Sequence, residues 1–463
     1  MKINLYKDLS KFIFLLIFIL FFFQNEILVQ DTYSYIENIY KRPFLYPFLI
    51  NIFQILSENN YLKYLSILQL ILGYLSIIFF SFFFIKKFKI NNILNQVILI
   101  FSISFPYLGI SMKLGLTIFS ESIGYPLLLI FCIYFLKHYF YPKANKNKKY
   151  FFLVIFLFCL MVLNKKTFLF VLPLIFLGEI IFFLLKKNIK KLILNLLIVL
   201  LSVIIINLAE RTNTYFKTGL FKNISVSGSS FLTGPFYLAS DRDLENVEGI
   251  ENNRIISFAI NEFSKHKIER NMLVKADNDI LSFSKNNRKI FSHYFNQYVQ
   301  MQDFFENKIN YPSFYGINSE NQLLVRQLSS KHCTDIAIQL IKMKPKENLL
   351  FYISNVLYGM GGYFISRDDL KGFYANVGFS GYYILILKII LAVVCIFTLF
   401  DRDKNKKIAM IILFFITLNF SNILATALYQ PVYDRFSFLT FQFIFFVITL
   451  IFVNFINSRS NNT

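Results

Sequence analysis

The sequence has few charged residues. Asp, Glu, Lys and Arg make up 16% of its 463 residues, whereas soluble domains average about 25%. Hydrophobic residues make up 56% of the chain, aromatic residues make up 19%, and the mean hydropathy is +0.53. This composition excludes an ordinary soluble protein and predicts a protein that lies in a lipid bilayer.

Cysteine and histidine are also scarce, with four of each. The cysteines form no CxxC pair and the histidines are scattered, so neither a disulfide framework nor a histidine-based metal site is indicated. The chain has no glycine pattern of a Walker or Rossmann nucleotide site. We predict no metal-binding residues and no cofactor, while a requirement for a divalent metal stays open.

Apolar runs recur along the chain, and they approach the roughly 20 helical residues that cross a bilayer. They predict an all-α polytopic membrane protein with about ten transmembrane helices. The predicted spans are 11–29, 62–85, 94–112, 122–140, 150–164, 168–185, 190–208, 379–400, 408–425 and 436–457. Two further apolar stretches, 43–57 and 349–365, are candidates for re-entrant or interfacial segments.

The net charge of +21 is unevenly distributed. Residues 210–378 carry 17 acidic and 20 basic residues, so most of the excess lies in short lysine clusters between apolar runs. Such clusters are typical of cytoplasmic loops, and we predict no nucleic-acid partner. With the N-terminus in the cytoplasm, the inner loops hold 20 Lys and Arg residues and the short outer loops hold 7. This asymmetry places residues 210–378 on the outer side of the membrane.

Three parts follow from this layout. Residues 1–209 are predicted to form an N-terminal transmembrane bundle whose first outer loop is 30–61. Residues 210–378 are predicted to form a mainly helical extracytoplasmic domain, because the segment is too long to be a simple connection. Residues 379–463 are predicted to form the C-terminal transmembrane helices.

Two acidic residues are predicted to lie at the outer membrane surface. Asp31 follows the first span, and Tyr35 shares its face if the residues after it are helical. A carboxylate there can accept a proton from an incoming hydroxyl, as a general base does. Glu121 begins the fourth span, where the helix dipole favours an acid. The plainer alternative is structural at both positions, with Asp31 a solvated acid that caps an interfacial helix.

Four basic residues are predicted on the same side. Lys165 and Lys166 fill the tight turn between the fifth and sixth spans, Arg435 begins the last span, and Arg42 lies in the first outer loop. Cations there suit the phosphate or pyrophosphate of a lipid, and an arginine can bind two phosphate oxygens at once. The alternative is that each binds an ordinary headgroup or a neighbouring carboxylate.

Two ionisable residues, Glu179 and Lys388, fall inside apolar runs, where charges are costly. We expect them to pair with each other, or Glu179 to reach toward Lys186. A catalytic role is not predicted for either, since both lie toward the inner half or the middle of the bilayer.

Together these segments resemble the GT-C superfamily of membrane glycosyltransferases. The likeness is to bacterial relatives of the protein O-mannosyltransferases and lipid A aminoarabinose transferases (glycosyltransferase family 39-like). Such proteins show an acid after the first span, a Pro-x-Leu-Tyr-Pro run, an acid opening a later span, an outward basic turn and an Arg-aromatic pair opening the final span. The matching residues are Asp31, Pro43-Phe44-Leu45-Tyr46-Pro47, Glu121, Lys165-Lys166-Thr167 and Arg435-Phe436. Many members have paired acids where this chain has Gln30-Asp31, which puts a metal role there in doubt.

The resemblance implies an inverting glycosyltransferase of the bacterial inner membrane. It would move a sugar from a polyprenyl phosphate to an envelope glycan, lipid or protein outside the cytoplasm. Asp31 would deprotonate the acceptor hydroxyl, and Glu121 would orient the acceptor or a cation. The implied donor-binding residues are Lys165, Lys166, Arg435 and Arg42, and the implied acceptor or supporting residues are Tyr35, Tyr46 and Tyr433.

Two other functions stay open. An O-antigen-type polymerase or ligase also combines many spans with a large outer loop, and depends mainly on arginines in later outer loops. A transporter of lipid-linked sugars would make no bond, but transporters tend to show inverted repeats and broken helices, neither of which is recognisable in the sequence.

Overall fold

The computed structural model describes most of the chain. The described residues are 14–16, 18–21, 23–36, 42–108, 113–141, 147–219, 221, 227–266, 268, 300–301, 304–305, 322–361, 406–428, 440 and 442–453.

Nearly all of these residues are helical. The helices are α1 (Gln30–Ile36), α2 (Leu45–Leu56), α3 (Tyr61–Lys87), α4 (Ile93–Leu108), α5 (Glu121–Tyr139), α6 (Asn147–Asn164), α7 (Leu172–Lys186), α8 (Ile189–Thr218), α9 (Ser227–Leu238), α10 (Asp241–Glu245), α11 (Ile250–Lys265), α12 (Gln322–Met343), α13 (Pro345–Gly361), α14 (Lys406–Ala427) and α15 (Gln442–Val453). A 3₁₀ helix, Lys166–Val171, leads directly into α7. Residues 14–16 and 18–21 are also helical.

Five helical segments of the described chain are long and apolar enough to cross a membrane. They are Tyr61–Lys87, Glu121–Tyr139, Lys166–Leu184, Ile189–Phe216 and Ala409–Ala427. Shorter apolar helices cover Leu45–Leu56, Ile93–Ser104 and Gln442–Val453. The predicted helical, polytopic class is therefore confirmed in this coarser form. The predicted span 379–400 lies outside the described residues.

The first predicted span is too long at its C-terminal end. Residues 25–29 are not helical; Ile27 instead forms an isolated parallel β-bridge with Thr117. The amide of Ile27 donates to the Leu116 carbonyl at 2.9 Å, and the amide of Ile118 donates to the Ile27 carbonyl at 3.0 Å. Hydropathy alone misses this because extended and helical apolar residues have the same composition.

The predicted domain boundary at 209/210 falls inside a helix. α8 continues without a break to Thr218, where Gly219 closes it in the left-handed conformation (φ 71°). The apolar run ends near 208, but a helix needs no apolar residues to keep its backbone hydrogen bonds. The structural end is the glycine, which adopts positive φ without steric cost.

Two prolines inside bundle helices free carbonyl groups that other elements then satisfy. Pro126 has no N–H to offer the carbonyl of Ser122, four residues earlier; the Tyr107 hydroxyl lies 2.9 Å from that oxygen and shares its one proton between it and the Gln69 carbonyl at 2.5 Å. Pro106 likewise leaves the carbonyl of Ser102, to which the Gln442 side chain donates at 2.7 Å. Lipid cannot hydrogen-bond such groups, so side chains from neighbouring helices do it.

The described part of 227–361 has a hydrophobic core of its own, built on α9, α11 and α12. α13 connects this core to the bundle, because Asn355 donates to the carbonyl of Ala427 at 3.1 Å at the end of α14. The helical character predicted for this segment agrees with α9 to α13. These helices lie at the end of α8 that carries Glu210.

Candidate functional site

The site residues come together where three loops meet at one end of the bundle, called here the Glu121 end. Its loops are residues 25–36, 113–120 and 164–168. The bridge at Ile27 and Thr117 joins the first two loops. Thr32, which is fully buried, strengthens the joint by donating its hydroxyl to the carbonyl of Ile118 at 2.8 Å. α1 is thereby fixed beside the segment that leads into Glu121.

A chain of polar contacts crosses all three loops. The hydroxyls of Tyr35 and Ser120 lie 2.8 Å apart, and Ser120 donates to Glu121 Oε2 at 3.0 Å. Because a serine has one hydroxyl proton, Tyr35 is the donor to Ser120. Glu121 Oε1 accepts a hydrogen bond from Lys165 Nζ in an ion pair. The side chains of Glu121 and Lys165 are 3% and 13% exposed, so this pair is largely withdrawn from solvent.

Close helix packing holds Lys165 in place. A Cβ atom at Gly124 would lie 2.5 Å from the Phe168 ring and 3.1 Å from Asn164 Nδ2. The glycine therefore lets the 164–168 turn approach α5, and Asn164 donates to the carbonyl of Ser120 at 2.7 Å. The turn is anchored on both sides of Lys165.

Arg42 and two tyrosines extend the chain of contacts at the other side. Arg42 Nε donates to Ser34 Oγ at 2.7 Å, and its guanidinium carbon lies 4.6 Å from the centroid of the Tyr35 ring, a cation–π distance. The ring of Tyr46 packs edge-on against Tyr35, with 4.9 Å between centroids. Gln69 donates to the Tyr46 hydroxyl at 2.6 Å, so both tyrosines are fixed.

Lys166 points to a different partner. Its Nζ lies 2.6 Å from Glu210 Oε2, and its side chain is 46% exposed. The adjacent lysines thus hold two carboxylates on two helices, Glu121 on α5 and Glu210 on α8. Glu210 was missed by sequence reasoning; its position at the end of an apolar run was the available signal.

Three predicted residues lie partly or wholly outside the described residues. Arg435 and Tyr433 are among those the structure does not describe, and only the backbone of Asp31 is described. That backbone lies in α1, one turn before Tyr35. The predicted helical stretch after Asp31 is therefore confirmed, and its shared face with Tyr35 follows from the helix period.

Lys165 and Lys166 each pair with a carboxylate, which is the alternative that the sequence left open for these cations, and Glu121 is thereby less suited to acid–base work. Both oxygens of this carboxylate accept hydrogen bonds, which makes it a holder of the Lys165 ammonium. Within the described ranges no three His, Cys, Asp or Glu side chains come close enough together to hold a metal ion.

Glu179 has partners that the sequence did not predict. Tyr139 donates to its Oε1 at 2.7 Å, Asn195 donates to its Oε2 at 2.8 Å, and His138 Nε2 lies 3.7 Å from Oε1. The pairing with Lys388 lies outside the described residues, and so does the side chain of Lys186, toward which Glu179 was expected to reach. Polar residues at Tyr139 and Asn195 within apolar runs were the signal that was available.

Neither protein-family models nor curated proteins nor solved structures give a match to this chain.

Proposed function

We propose that the protein is an inverting glycosyltransferase that moves a sugar from a polyprenyl phosphate to an envelope glycan, lipid or protein. The observation that carries the proposal is the continuous chain of contacts from Arg42 through Tyr35, Ser120 and Glu121 to Lys165. It brings residues that are far apart in sequence to one end of the bundle, and these include most of the described residues that the GT-C resemblance selects.

We further propose about ten spans, with the Glu121 end facing outward in a bacterial inner membrane. Lysines concentrate at the opposite end, as cytoplasmic loops require. There, Lys87 Nζ lies 3.4 Å from the centroid of the Tyr141 ring, and Lys137 Nζ lies 5.0 Å from that of Tyr134. Nucleotide sugars are cytoplasmic, so a transferase with an outward site would draw on a lipid-linked donor.

In the proposed reaction, Asp31 is the general base. The acceptor oxygen bonds to the anomeric carbon as the bond from that carbon to the phosphate oxygen breaks. The acceptor proton goes to Asp31, and the electron pair leaves with the lipid phosphate. Attack from the face opposite the leaving group inverts the anomeric carbon.

The cations are assigned to the leaving phosphate, whose charge grows in the transition state. Fixed cations stabilise that charge more in the transition state than in the ground state. Glu121 is assigned to position Lys165, in line with the orienting role that the resemblance implies. Arg42 and Arg435 are assigned to the same phosphate, and Lys166 is assigned to it by exchanging Glu210 for the phosphate oxygens.

The tyrosines are assigned to support. Tyr35 and Tyr46 are buried and pack against each other, so they shape the wall beside Arg42. Tyr433 is proposed to contact the acceptor.

The first experiment compares envelope glycans by mass spectrometry with and without the gene. Loss of one sugar residue in the deletion strain is expected, and it would identify both sugar and acceptor. Unchanged glycans would contradict the proposal.

The second experiment measures transfer by Asp31→Asn with the identified donor and acceptor. The expected loss in kcat is at least about 10²-fold, the usual contribution of a general base. Glu58→Gln is the matched control, because Glu58 is an exposed acid in the same predicted outer loop, and it is expected to transfer normally.

The same assay separates the other two functions. Normal transfer by Asp31→Asn, with loss on replacing arginines of 210–378, would favour the polymerase or ligase. Movement of lipid-linked sugar across the membrane without a new glycosidic bond would favour the transporter.

A further inference from the structure

A large open groove lies beside the candidate site, between the end of α8 and the helices α11 and α12. Its volume is about 1250 Å³. It is lined by side chains from all three helices and by Phe221, which follows α8. None of its residues belongs to the chain of contacts that runs from Arg42 to Lys165.

One wall of the groove is a fixed set of hydrogen-bonding groups centred on Asn252, which is 3% exposed. The Asn252 amide nitrogen donates to the Glu248 carbonyl at 2.8 Å and to Asp335 Oδ2 at 2.7 Å. Its amide oxygen lies 3.1 Å from His332 Nδ1. Since an amide oxygen only accepts, Nδ1 carries the proton, and Nε2 of the neutral ring is an acceptor.

Gln339 and Gln327 add to this wall. Gln339 Oε1 accepts from the Glu248 amide at 2.8 Å, and its Nε2 donates to Asp335 Oδ2 at 3.2 Å. Gln327 Nε2 is buried in the groove lining and has no hydrogen-bond partner among the described residues. A buried amide donor without a partner costs free energy, which a bound acceptor oxygen recovers once the Gln327 side chain turns into the groove.

The groove also offers apolar surface without a dominant charge. The side chains of Phe221 and Ile250 are 50% and 88% exposed. Of the charged lining residues, Arg211 and Lys331 are positive, whereas Glu248, Glu251 and Asp335 are negative. A polyanion would meet these carboxylates, and the apolar face of an amphipathic peptide helix would meet five charged side chains. Both are less suited to this mixed lining than a ligand that has polar and apolar faces.

A polyhydroxylated chain fits it well. Sugar hydroxyls both donate and accept, so they can exchange hydrogen bonds with the amide and imidazole groups of this wall and donate to its carboxylates. The flat C–H faces of sugar rings can rest on an exposed ring such as that of Phe221. Because the wall groups are already bonded to one another, their positions need little reordering on binding.

The groove also begins next to the candidate site. Arg211 lines it, and the preceding residue, Glu210, holds Lys166 at the Glu121 end. A chain that fills the groove therefore contacts α8 one residue from Glu210, the partner of Lys166.

We infer that this groove binds the acceptor as a neutral or zwitterionic oligosaccharide of several sugars. That the bound oligosaccharide is the acceptor rests on the proposed function. That the ligand is an oligosaccharide rests on the groove alone. It assigns Phe221, Lys331, Gln327 and His332 to acceptor binding, away from the bond-making step.

The test uses the full-length protein in lipid nanodiscs. The probe is a set of fluorescently labelled oligosaccharides of increasing length, released from the envelope of cells that lack the gene. Phe221→Ala and Lys331→Ala are each expected to weaken probe binding, and the double variant by at least about tenfold. Phe216→Ala and Lys342→Ala are the matched controls. Phe216 is exposed near the end of α8 and Lys342 is exposed on α12, and neither lines the groove.

Binding and transfer separate the two proposals. Weakened binding in both groove variants, a higher KM for acceptor and an unchanged KM for donor would support the groove. Equal binding by groove and control variants, or binding of peptides in place of sugars, would overturn it even if transfer is normal. Asp31→Asn is expected to bind the probe like the wild type. If wild-type protein binds the probe through the groove but transfers no sugar, the proposed function fails and the groove stands.

Discussion

At the residue scale, the adjacent lysines Lys165 and Lys166 form two ion pairs that differ in their exposure to solvent. The Glu121 and Lys165 side chains are 3% and 13% exposed, whereas in the second pair Glu210 is 11% exposed and Lys166 is 46% exposed, so replacing Glu210 leaves a cation that water reaches. Removing one partner of a buried pair leaves a charge in a low-dielectric environment. Water screens the more exposed pair.

We therefore expect Glu121→Gln to destabilise the protein by about 3–5 kcal/mol and Glu210→Gln by less than about 1 kcal/mol. The measurement is unfolding in mixed detergent micelles with increasing SDS. Adding Lys165→Met to Glu121→Gln should recover part of the loss, because it removes the unpaired cation. Equal costs for the two single variants would contradict this assignment of burial.

Asp243 gives a pH-dependent prediction outside the membrane-spanning helices. Burial raises the pKa of its carboxyl, but hydrogen bonds from Lys344 and Ser240 outweigh this, and the pKa is lowered below its ordinary value. Ser240 and Asp243 also form a capping box at the start of α10. A carboxyl with a lowered folded-state pKa contributes stability above its unfolded pKa, about 3.9, and loses it as pH falls through the folded value.

We expect the wild-type protein to lose stability more steeply than Asp243→Asn as pH falls below about 4. Thermal melts across this range, followed by circular dichroism, measure the difference. Asp241→Asn is the control, because it removes the same charge two residues away on an exposed position of α10. Parallel pH profiles for wild type and Asp243→Asn would contradict the role of this carboxylate.

At the element scale, the site depends on how closely α5 approaches the turn before α7. Gly124→Ala would place a Cβ 2.5 Å from the buried Phe168 ring. Such overpacking costs about 1–3 kcal/mol and is expected to move Lys165 away from Glu121.

We expect Gly124→Ala to lower both stability and sugar transfer, measured by SDS unfolding and by the transfer assay. Adding Phe168→Leu makes room for the new methyl group, so the double variant should regain most of both. If the double variant is as impaired as Gly124→Ala, the contact between residue 124 and Phe168 does not determine the position of the 164–168 turn.

At the scale of the whole molecule, orientation is the inference that connects the site to a lipid-linked donor. Glu58 and Glu245 are exposed at the Glu121 end and in the 227–361 segment, and Asn91 is exposed at the opposite end of the bundle. We expect a membrane-impermeant maleimide to label Glu58→Cys and Glu245→Cys in intact cells, but to label Asn91→Cys only after lysis.

Wild-type protein gives the baseline for this labelling. Of its four cysteines, Cys132 and Cys333 are buried and Cys159 is half-buried. Burial raises the pKa of the Cys333 thiol to about 12, so that thiol reacts slowly. If Asn91→Cys is the only variant labelled in intact cells, the protein has the opposite orientation and the candidate site faces the cytoplasm.

Some of the site could be predicted from sequence because its charged residues are unusual for the segments in which they lie. Lys165 and Arg42 are cations in predicted outer loops, where positive charge is expected to be scarce, and Glu121 begins an apolar helix; each is visible without a structure. Ser120, Asn164 and Gln69 were missed, because single uncharged polar residues in or beside apolar runs are common. Their role becomes recognisable only when their hydrogen-bond partners are known. The end of α8 was missed because the apolar run ends before the helical backbone hydrogen bonds end.

The sequence by itself determined the environment and the helical class, since long apolar runs have to satisfy their backbone groups internally in lipid. It also determined which end of each helix carries the lysines. The tertiary structure decided which loops meet, that Lys165 pairs with Glu121 and Lys166 with Glu210, and that a groove with polar and apolar lining opens beside them. Those outcomes depend on contacts between residues such as Tyr35 and Ser120, 85 positions apart, and hydrophobic periodicity carries no information about which distant faces come together.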